Sequence, residues 1–134
     1  MSKKPQPKPT EAELELLRVL WERGPSTVRE IHECVSGEKE TGYTTTLKIL
    51  QNMAEKGLVA RDESRRSHVY RAVYKAEQAQ RQLVRDLLRR AFGGSPGKLV
   101  VQALSEESVS ADDLAEIRRL LDELEARQSR KGTK

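Results

Sequence analysis

The sequence predicts a mainly α-helical protein that contains one β-hairpin and ends in a second, wholly helical region. Apolar residues recur at helical spacing over most of the chain. Between residues 58 and 73 this spacing stops, and two short runs rich in apolar residues flank a polar stretch, which indicates two short strands. Charged residues make up 34% of the 134 residues and aromatic residues 4%. That composition is typical of a small helical protein with a thin core.

The N-terminal segment begins with a tail and a capped helix. Residues 1–9 contain three prolines and three lysines, so we expect a disordered basic tail. Thr10 and Glu13 form a capping-box pattern, which predicts a helix over residues 11–22. The apolar stripe of this helix consists of Leu14, Leu17, Leu20 and Trp21. A Gly-Pro pair then ends the helix.

Two further helices are predicted before the strands. The second helix is capped by either Ser26 or Thr27, and its apolar side carries Val28, Ile31, Cys34 and Val35. We expect Cys34 to be a small core residue, neither a nucleophile nor a metal ligand. Polar residues 36–40 form a connection. The third helix is predicted over residues 43–56, and its core side consists of Thr46, Leu47, Ile49, Leu50 and Met53.

The apolar period changes after Gly57, which ends the third helix as a C-terminal cap. Two strands are predicted over residues 58–61 and 68–73, joined by a polar connection. Three helices followed by a two-stranded hairpin is the order of elements in a winged helix-turn-helix domain, which we assign to residues 10–74. The sequence leaves open whether Tyr70 packs inward or stacks at a nucleic-acid backbone.

The rest of the chain predicts a helical dimerisation domain over residues 75–127 and a flexible tail over residues 128–134. Helices are expected over residues 76–91, over residues 99–104, and after a cap formed by Ser110 with Asp113. The last helix carries Leu114, Ile117, Leu121 and Leu124 at the a/d spacing of two heptads. About fifty residues are too few to enclose their own core. We therefore expect these apolar faces to pack against a second copy; packing onto the N-terminal domain is the alternative.

The composition argues against several classes of protein. A net charge of +4 and a pI near 9.3 lean towards a nucleic-acid partner. A single cysteine rules out an intramolecular disulfide and fits a reducing compartment. The chain has neither an apolar run near 18 residues nor a secretory signal, so we expect a cytoplasmic protein without membrane insertion. No His/Cys cluster has metal-ligand spacing, so we expect no metal, no cofactor and no enzymatic activity.

One face of the third helix is polar and suited to DNA. Opposite the core side lie Thr44, Thr45, Lys48, Gln51 and Asn52. Hydroxyl, amine and amide groups bond to base edges and phosphates in a major groove, and a helix N-terminus presents free N–H groups to a phosphate. Threonine is a mediocre helix former, so three in succession at a helix start favour a contact role. The alternative is a solvated face with threonine caps.

The predicted hairpin is basic. It contains four arginines and a histidine against two carboxylates: Arg61, Arg65, Arg66, His68 and Arg71 against Asp62 and Glu63. A basic hairpin beside a DNA-reading helix is placed to bind flanking phosphates, whereas an ordinary charged hairpin tip is the alternative. We favour phosphate contact because the polar helix precedes it.

The chain resembles the penicillinase-repressor family of bacterial transcription regulators over about residues 9–126. The resemblance rests on PTEAELELLRVLWERGPSTVREI, on GYTTTLKILQNMAEKGLVARDESRRSHVYRA and on FGGSPGKLVVQALSEESVSADDLAEIRRLLDEL. Its most specific part is the block GYTT…L…MAEKGLV. The resemblance implies a winged helix, a helical dimerisation domain, a homodimer on a palindromic double-stranded DNA operator, and repression of transcription.

The resemblance also implies roles for individual residues. Operator contacts would fall on Thr44, Thr45, Lys48 and Gln51. Phosphate contacts would fall near Arg65, Arg66 and His68. Dimer contacts would come from Leu83, Leu87, Leu99, Val100, Leu104, Leu114, Ile117, Leu121 and Leu124.

The inducing signals of the family transfer less well. In the penicillinase branch a membrane sensor-protease responds to a β-lactam and cuts the repressor. The Asn-Phe bond of that branch falls on Gln102-Ala103, so this sequence departs from the family pair. The copper-responsive branch carries a C-terminal cysteine cluster. The C-terminal half here contains no cysteine, and copper sensing by that route is not expected.

A protein-interaction module is the second hypothesis. In that case the stripe over residues 114–124 would dock a partner helix. A partner-binding face would expose more apolar residues than the third helix does, so we favour the DNA-binding repressor.

Overall fold

Residues 8–35, 42–64 and 66–131 are described by a computed structural model of the chain. Over these residues six helices and three strands follow one another. In chain order they are α1 (Glu11–Arg23), β1 (Ser26–Thr27), α2 (Val28–Val35), α3 (Tyr43–Lys56), β2 (Val59–Asp62), β3 (Val69–Ala72), α4 (Ala76–Ala91), α5 (Pro96–Glu106) and α6 (Ala111–Lys131). The chain divides into two compact units, one up to Val84 and one from Arg85 onward.

The small sheet has three antiparallel strands in the order β1–β3–β2. Strands β2 and β3 form the predicted hairpin, with Val59 opposite Ala72. The third strand, β1, was not predicted from the sequence: its Ser26 pairs with Tyr70 on the other edge of β3. A strand of two residues has no periodicity that the sequence could reveal. Its existence depends on the distant partner that it pairs with.

Helix α1 begins with the predicted capping box. The Thr10 hydroxyl accepts a hydrogen bond from the Glu13 N–H at 3.1 Å, and the Glu13 carboxylate accepts one from the Thr10 N–H at 2.9 Å. Glu13 is only 4% exposed, and its other oxygen lies 2.7 Å from Nζ of Lys56 in the last turn of α3. A buried carboxylate is costly unless it is paired. This ion pair therefore ties the start of α1 to the end of α3.

Helix α2 is capped by Thr27, which decides between the two expected caps. The Thr27 N–H donates to the Glu30 carboxylate at 2.9 Å, and the Glu30 N–H donates to the Thr27 hydroxyl at 3.2 Å. The backbone N–H of Thr27 is the main cause that lowers the pKa of Glu30 below its ordinary value of 4.5. The Thr27 hydroxyl and the nearby Arg23 guanidinium lower this pKa further. Ser26 instead donates to the Gly24 carbonyl.

The exposed side chain of Cys34 contradicts the expectation of a core residue. Helix α2 buries Val28 and Ile31, and Val35 packs against the core at its edge. At about 100° per residue, Val28, Val35 and Ile31 fall within about 60° around the helix, and Cys34 lies about 60° beyond Ile31. The buried side of α2 ends at Ile31. Cys34 consequently faces outward.

The core of the N-terminal unit is built from α1, α2, α3, the sheet and the start of α4. Its buried apolar side chains are Leu16, Leu17, Leu20, Val28, Ile31, Leu50, Met53, Leu58, Val59, Tyr70, Tyr74 and Ala79. Tyr70 is fully buried, so it packs inward and does not stack on an exposed surface. Trp21 donates from Nε1 to the Tyr74 carbonyl at 2.9 Å, and the Tyr74 hydroxyl donates to Gln82 at 2.5 Å. These bonds hold the first half of α4 to this unit.

The second unit contains the end of α4, α5 and α6. Ser95 caps α5 by accepting a hydrogen bond from the Lys98 N–H. Ser110 caps α6 by accepting one from the Asp113 N–H at 3.0 Å, and this second cap was predicted. No side chain of α5 or α6 is buried. Helix α6 continues to Lys131, into the segment 128–134 predicted to be a flexible tail.

Within the described residues, no helix is both long enough and apolar enough to cross a membrane.

We predict that Glu13→Ala lowers the free energy of unfolding by about 2 kcal/mol. The substitution removes a charge-assisted hydrogen bond and leaves the ammonium group of Lys56 half-buried without its partner. Urea unfolding followed by circular dichroism measures the change. Glu22→Ala, an exposed site on the same helix, is the control and should change stability by less than about 0.5 kcal/mol. Equal effects of the two substitutions would contradict a structural role for the ion pair.

The lowered pKa of Glu30 predicts a pH-dependent stability difference between the wild type and Glu30→Gln. The folded protein binds the Glu30 proton more weakly than the unfolded chain does. The carboxylate's stabilisation is therefore complete above pH 4.5 and is lost as the pH falls through the lower folded-state pKa. Thermal unfolding from about pH 7 to about pH 3 should show the two proteins converging. The matched control is Glu33→Gln on the same helix, and a difference that grows towards acid would refute the prediction.

Candidate nucleic-acid interface

Helix α3 has two faces of opposite character. Thr46, Leu50 and Met53 are buried on one side, with Leu47 and Ile49 packed at its edges. All five side chains predicted to contact the operator are exposed on the other side: Thr44, Thr45, Lys48, Gln51 and Asn52. The three threonines therefore divide, since two face solvent and the third faces the core. The connection predicted over residues 36–40 lies outside the described residues.

The first turn of α3 has no side-chain cap. Gly42 is the N-cap residue and offers no side-chain acceptor, and the turn contains no acidic residue. The first backbone N–H groups of a helix lack partners inside the helix, and together they give this end a partial positive charge. Thr44 and Thr45 stand exposed around these groups. The arrangement suits an incoming anionic oxygen.

The other end of α3 is closed by Gly57. This residue has φ +83° and ψ +13°, in the left-handed region that glycine adopts without strain. The Leu58 N–H donates to the Met53 carbonyl at 2.9 Å across the turn. Leu58 is fully buried, so the turn directs the chain from the core into β2. The hairpin is thereby held next to α3.

The hairpin tip between β2 and β3 is partly neutralised by its own carboxylates. Arg61 donates to Glu63, with Nε at 2.8 Å from the carboxylate oxygen, and this bond is the main cause that raises the pKa of Arg61. The Asp62 carboxylate accepts from the Ser64 N–H at 2.9 Å, which shapes the turn. Arg66 and His68 are exposed. Of the predicted phosphate contacts, Arg65 lies outside the described residues.

A groove of about 450 Å³ lies between the start of α2, the first turn of α3 and the hairpin tip. It is lined by Thr27, Val28, Arg29, Tyr43, Leu47, Arg66, Ser67 and His68. The structure thus brings two of the predicted phosphate-binding residues close to the start of α3. It also adds Arg29 and Tyr43, which the sequence analysis did not single out. Arg29 could have been proposed from the sequence, because it is a basic residue two positions after the cap of α2.

The residues predicted for dimer contacts are incompletely covered by their own chain. Six of them are between 37% and 52% exposed, namely Leu83, Leu87, Val100, Leu104, Leu121 and Leu124. The other three, Leu99, Leu114 and Ile117, are half-buried. Gln102 and Ala103, on which the family's cleaved bond falls, are exposed in the middle of α5. The Gln102 amide donates to Glu106 at 3.1 Å along the helix.

Comparisons with known proteins agree with this architecture. The transcriptional regulator BlaI of Mycobacterium tuberculosis (strain H37Rv) is 38% identical over 109 residues, which cover 80% of this chain and 78% of that protein. The methicillin resistance regulatory protein MecI of Staphylococcus aureus (strain N315) is 19% identical over 110 residues, which cover 82% of this chain and 89% of that protein.

A solved structure matches the N-terminal part. The solution structure of the DNA binding domain of the repressor BlaI aligns with a TM-score of 0.50 and 22% identity, over 57% of this chain and 93% of that one. This likeness confirms the predicted winged-helix fold. The sequence profile of the family described as "Penicillinase repressor" matches residues 9–123. Because that match covers most of the chain, the protein belongs to the penicillinase repressor family of transcriptional regulators.

Proposed function

We propose that this protein represses transcription by binding a palindromic double-stranded DNA operator as a homodimer. The observation that carries the proposal is the exposed polar face of α3, which lies opposite a face buried in the core. Such a helix can lie in a major groove without losing its own packing. Family membership supports the same function, since the family consists of transcriptional repressors and not of enzymes.

Sequence would be read by the side chains of α3. The Gln51 and Asn52 amides can each donate and accept, as an adenine edge requires, and Lys48 can donate to guanine. The hydroxyl of Thr44 or Thr45 can bond to a base or a phosphate, while its methyl group can contact a thymine methyl. The uncapped N–H groups of the first turn would bind a backbone phosphate between them.

The hairpin would bind the flanking DNA backbone. Arg66 and His68 are exposed beside the groove, and we assign phosphate contacts to them together with Arg65. Arg61 is held by Glu63, so its charge is less available to DNA. Phosphate contacts of this kind are independent of sequence and weaken steeply with salt.

The second unit would supply the dimer contact. Helices α5 and α6 bury no side chain within one chain, although α6 carries apolar residues at heptad spacing. A second copy offers a matching stripe, and a symmetric pair would exclude water from both. Two copies of α3 would then occupy successive major grooves, with half-sites about 10 base pairs apart or a multiple of that. A promoter covered in this way is closed to transcription.

Induction through a membrane sensor-protease would require more than an accessible bond. Gln102 and Ala103 are exposed, but they lie inside a continuous helix, and neither is the residue of the family's cleaved pair. Proteases bind extended backbone. Cleavage at Gln102-Ala103 therefore requires a sensor-protease that first opens this part of α5.

Fluorescence anisotropy tests the proposal directly. The protein is titrated onto a labelled duplex from upstream of its own gene and onto a scrambled duplex of equal length, at about 50 and 200 mM salt. We expect a preference of at least about 10³ for the native duplex and a steep loss of affinity at the higher salt concentration. Equal, weak binding to both would reject specific DNA binding at this locus and would favour a protein partner for α3.

Lys48→Ala is predicted to weaken operator discrimination by about 1 to 3 kcal/mol, because a side chain bonded to a base edge contributes about that much to specificity. The discrimination is measured as the difference in binding free energy between the native and the scrambled duplex, for the wild type and for the variant. Lys98→Ala, an exposed lysine of α5, is the control and should leave the difference unchanged. Equal losses on both duplexes would show that Lys48 touches only phosphate.

Leu121→Glu is predicted to weaken the homodimer by about 10²- to 10³-fold, since each copy loses a buried leucine and gains a charge at the interface. Sedimentation equilibrium should give about twice the 15.2 kDa chain mass for the wild type and a lower mass for the variant. Ala115→Glu places the same charge at an exposed position outside the heptad stripe and should remain dimeric. A monomeric wild type would refute the homodimer.

A further inference from the structure

His32 of α2 contacts two residues in the first turn of α3. Its Nδ1 lies 3.1 Å from the hydroxyl oxygen of Thr46, within hydrogen-bonding distance. Its ring meets the ring of Tyr43 edge to face, with centroids 5.7 Å apart and an interplanar angle of 78°. A hydrogen bond and an aromatic contact therefore join the two helices at the end of α3 that we assign to DNA.

Within the described part of the chain, this end of α3 lacks the side chains that usually stabilise a helix start. Gly42 provides no side-chain cap, and no acidic side chain stabilises the first turn. Threonines at the second and third positions are unfavourable compared with alanine. The first turn of a helix is also where local opening is easiest. Among the described residues, the hydrogen bond and the ring contact from His32 therefore restrain this turn from outside the helix.

Thr46 is the residue through which such a restraint would act. It is 1% exposed, and its N–H makes the first backbone bond of α3, to the Gly42 carbonyl at 3.1 Å. A buried hydroxyl without a partner is costly, so the bond to His32 keeps Thr46 inward. With Thr46 inward, Thr44 and Thr45 must face outward, because successive residues are separated by about 100° around a helix.

We propose that His32 is a positioning residue for DNA recognition, which fixes the first turn of α3 through Thr46 and Tyr43. A carboxylate or hydroxyl cap would hold the same turn, but it would occupy the N–H groups that a phosphate needs. Support from the side leaves those groups free. The effect on DNA binding rests on the proposed function, whereas the effect on the helix start does not.

Two pairs of variants test the assignment. His32→Leu and Thr46→Val remove the hydrogen bond by replacing a polar side chain with an apolar one of similar size, and His32→Leu also removes the ring contact with Tyr43. His32→Asn and Thr46→Ser keep a polar atom near the same position, so they should restore the lost property in part. Glu33→Leu, at the exposed neighbouring position on α2, is the matched control. Because Thr46 is buried, thermal unfolding is measured for every variant.

Amide hydrogen exchange of the free protein tests the restraint without DNA. We expect the backbone amide at position 46 to exchange about 3- to 10-fold faster in His32→Leu and in Thr46→Val, the amount that one net hydrogen bond supplies. The Leu50 and Met53 amides, deeper in α3, should keep their wild-type protection. Unchanged exchange at Thr46, or an equal rise along the whole helix, would overturn the proposal.

Anisotropy tests the functional consequence with the native and scrambled duplexes described above. We expect His32→Leu to lower the ratio of the two affinities by about 3- to 10-fold, with recovery in His32→Asn and no change in Glu33→Leu. A wild-type ratio retained in His32→Leu would overturn the role in recognition. If the wild type itself shows no preference, the proposed function fails, and hydrogen exchange still decides whether His32 holds the first turn.

Discussion

Helix α3 must pack on one side while its opposite side stays uncovered, and the N-terminal unit is organised around this constraint. A helix covered on one side gains tertiary packing from only part of its surface. Its two ends are accordingly held by neighbouring helices. Lys56 pairs with the buried Glu13 of α1 at one end, and Thr46 meets His32 of α2 at the other. Neither contact uses one of the five exposed side chains assigned to DNA, so the polar face stays free.

The two units differ in how much of their apolar surface is buried within the chain. The N-terminal unit encloses Tyr70, Tyr74 and a cluster of buried leucines, so it can hold α3 in place by itself. The second unit leaves large apolar side chains of α5 and α6 in contact with water, which is unfavourable unless a partner covers them. In the proposed dimer, pairing of the second units would bury these apolar side chains. The same pairing would bring two copies of α3 to one DNA duplex.

Much of the fold could be predicted because its signals are local. Helices α1 and α3 differ from their predicted ranges by at most one residue, since apolar periodicity and caps are set within a few residues. The Thr10–Glu13 and Ser110–Asp113 caps were predictable for the same reason, because each joins residues only three positions apart. The polar face of α3 was predictable too, because helical spacing alone separates Lys48 and Gln51 from Leu50 and Met53.

Local sequence patterns were sufficient to predict which segments are helical and which side of α3 is polar. Tertiary packing was needed to show that Ser26 joins the sheet and that Arg29 and Tyr43 line the groove with Arg66. It likewise decided that Glu13 pairs with Lys56 and His32 with Thr46. These contacts join residues far apart along the chain, and such a distance depends on how whole elements pack. The spacing of residues within one element does not indicate how that element packs against the others.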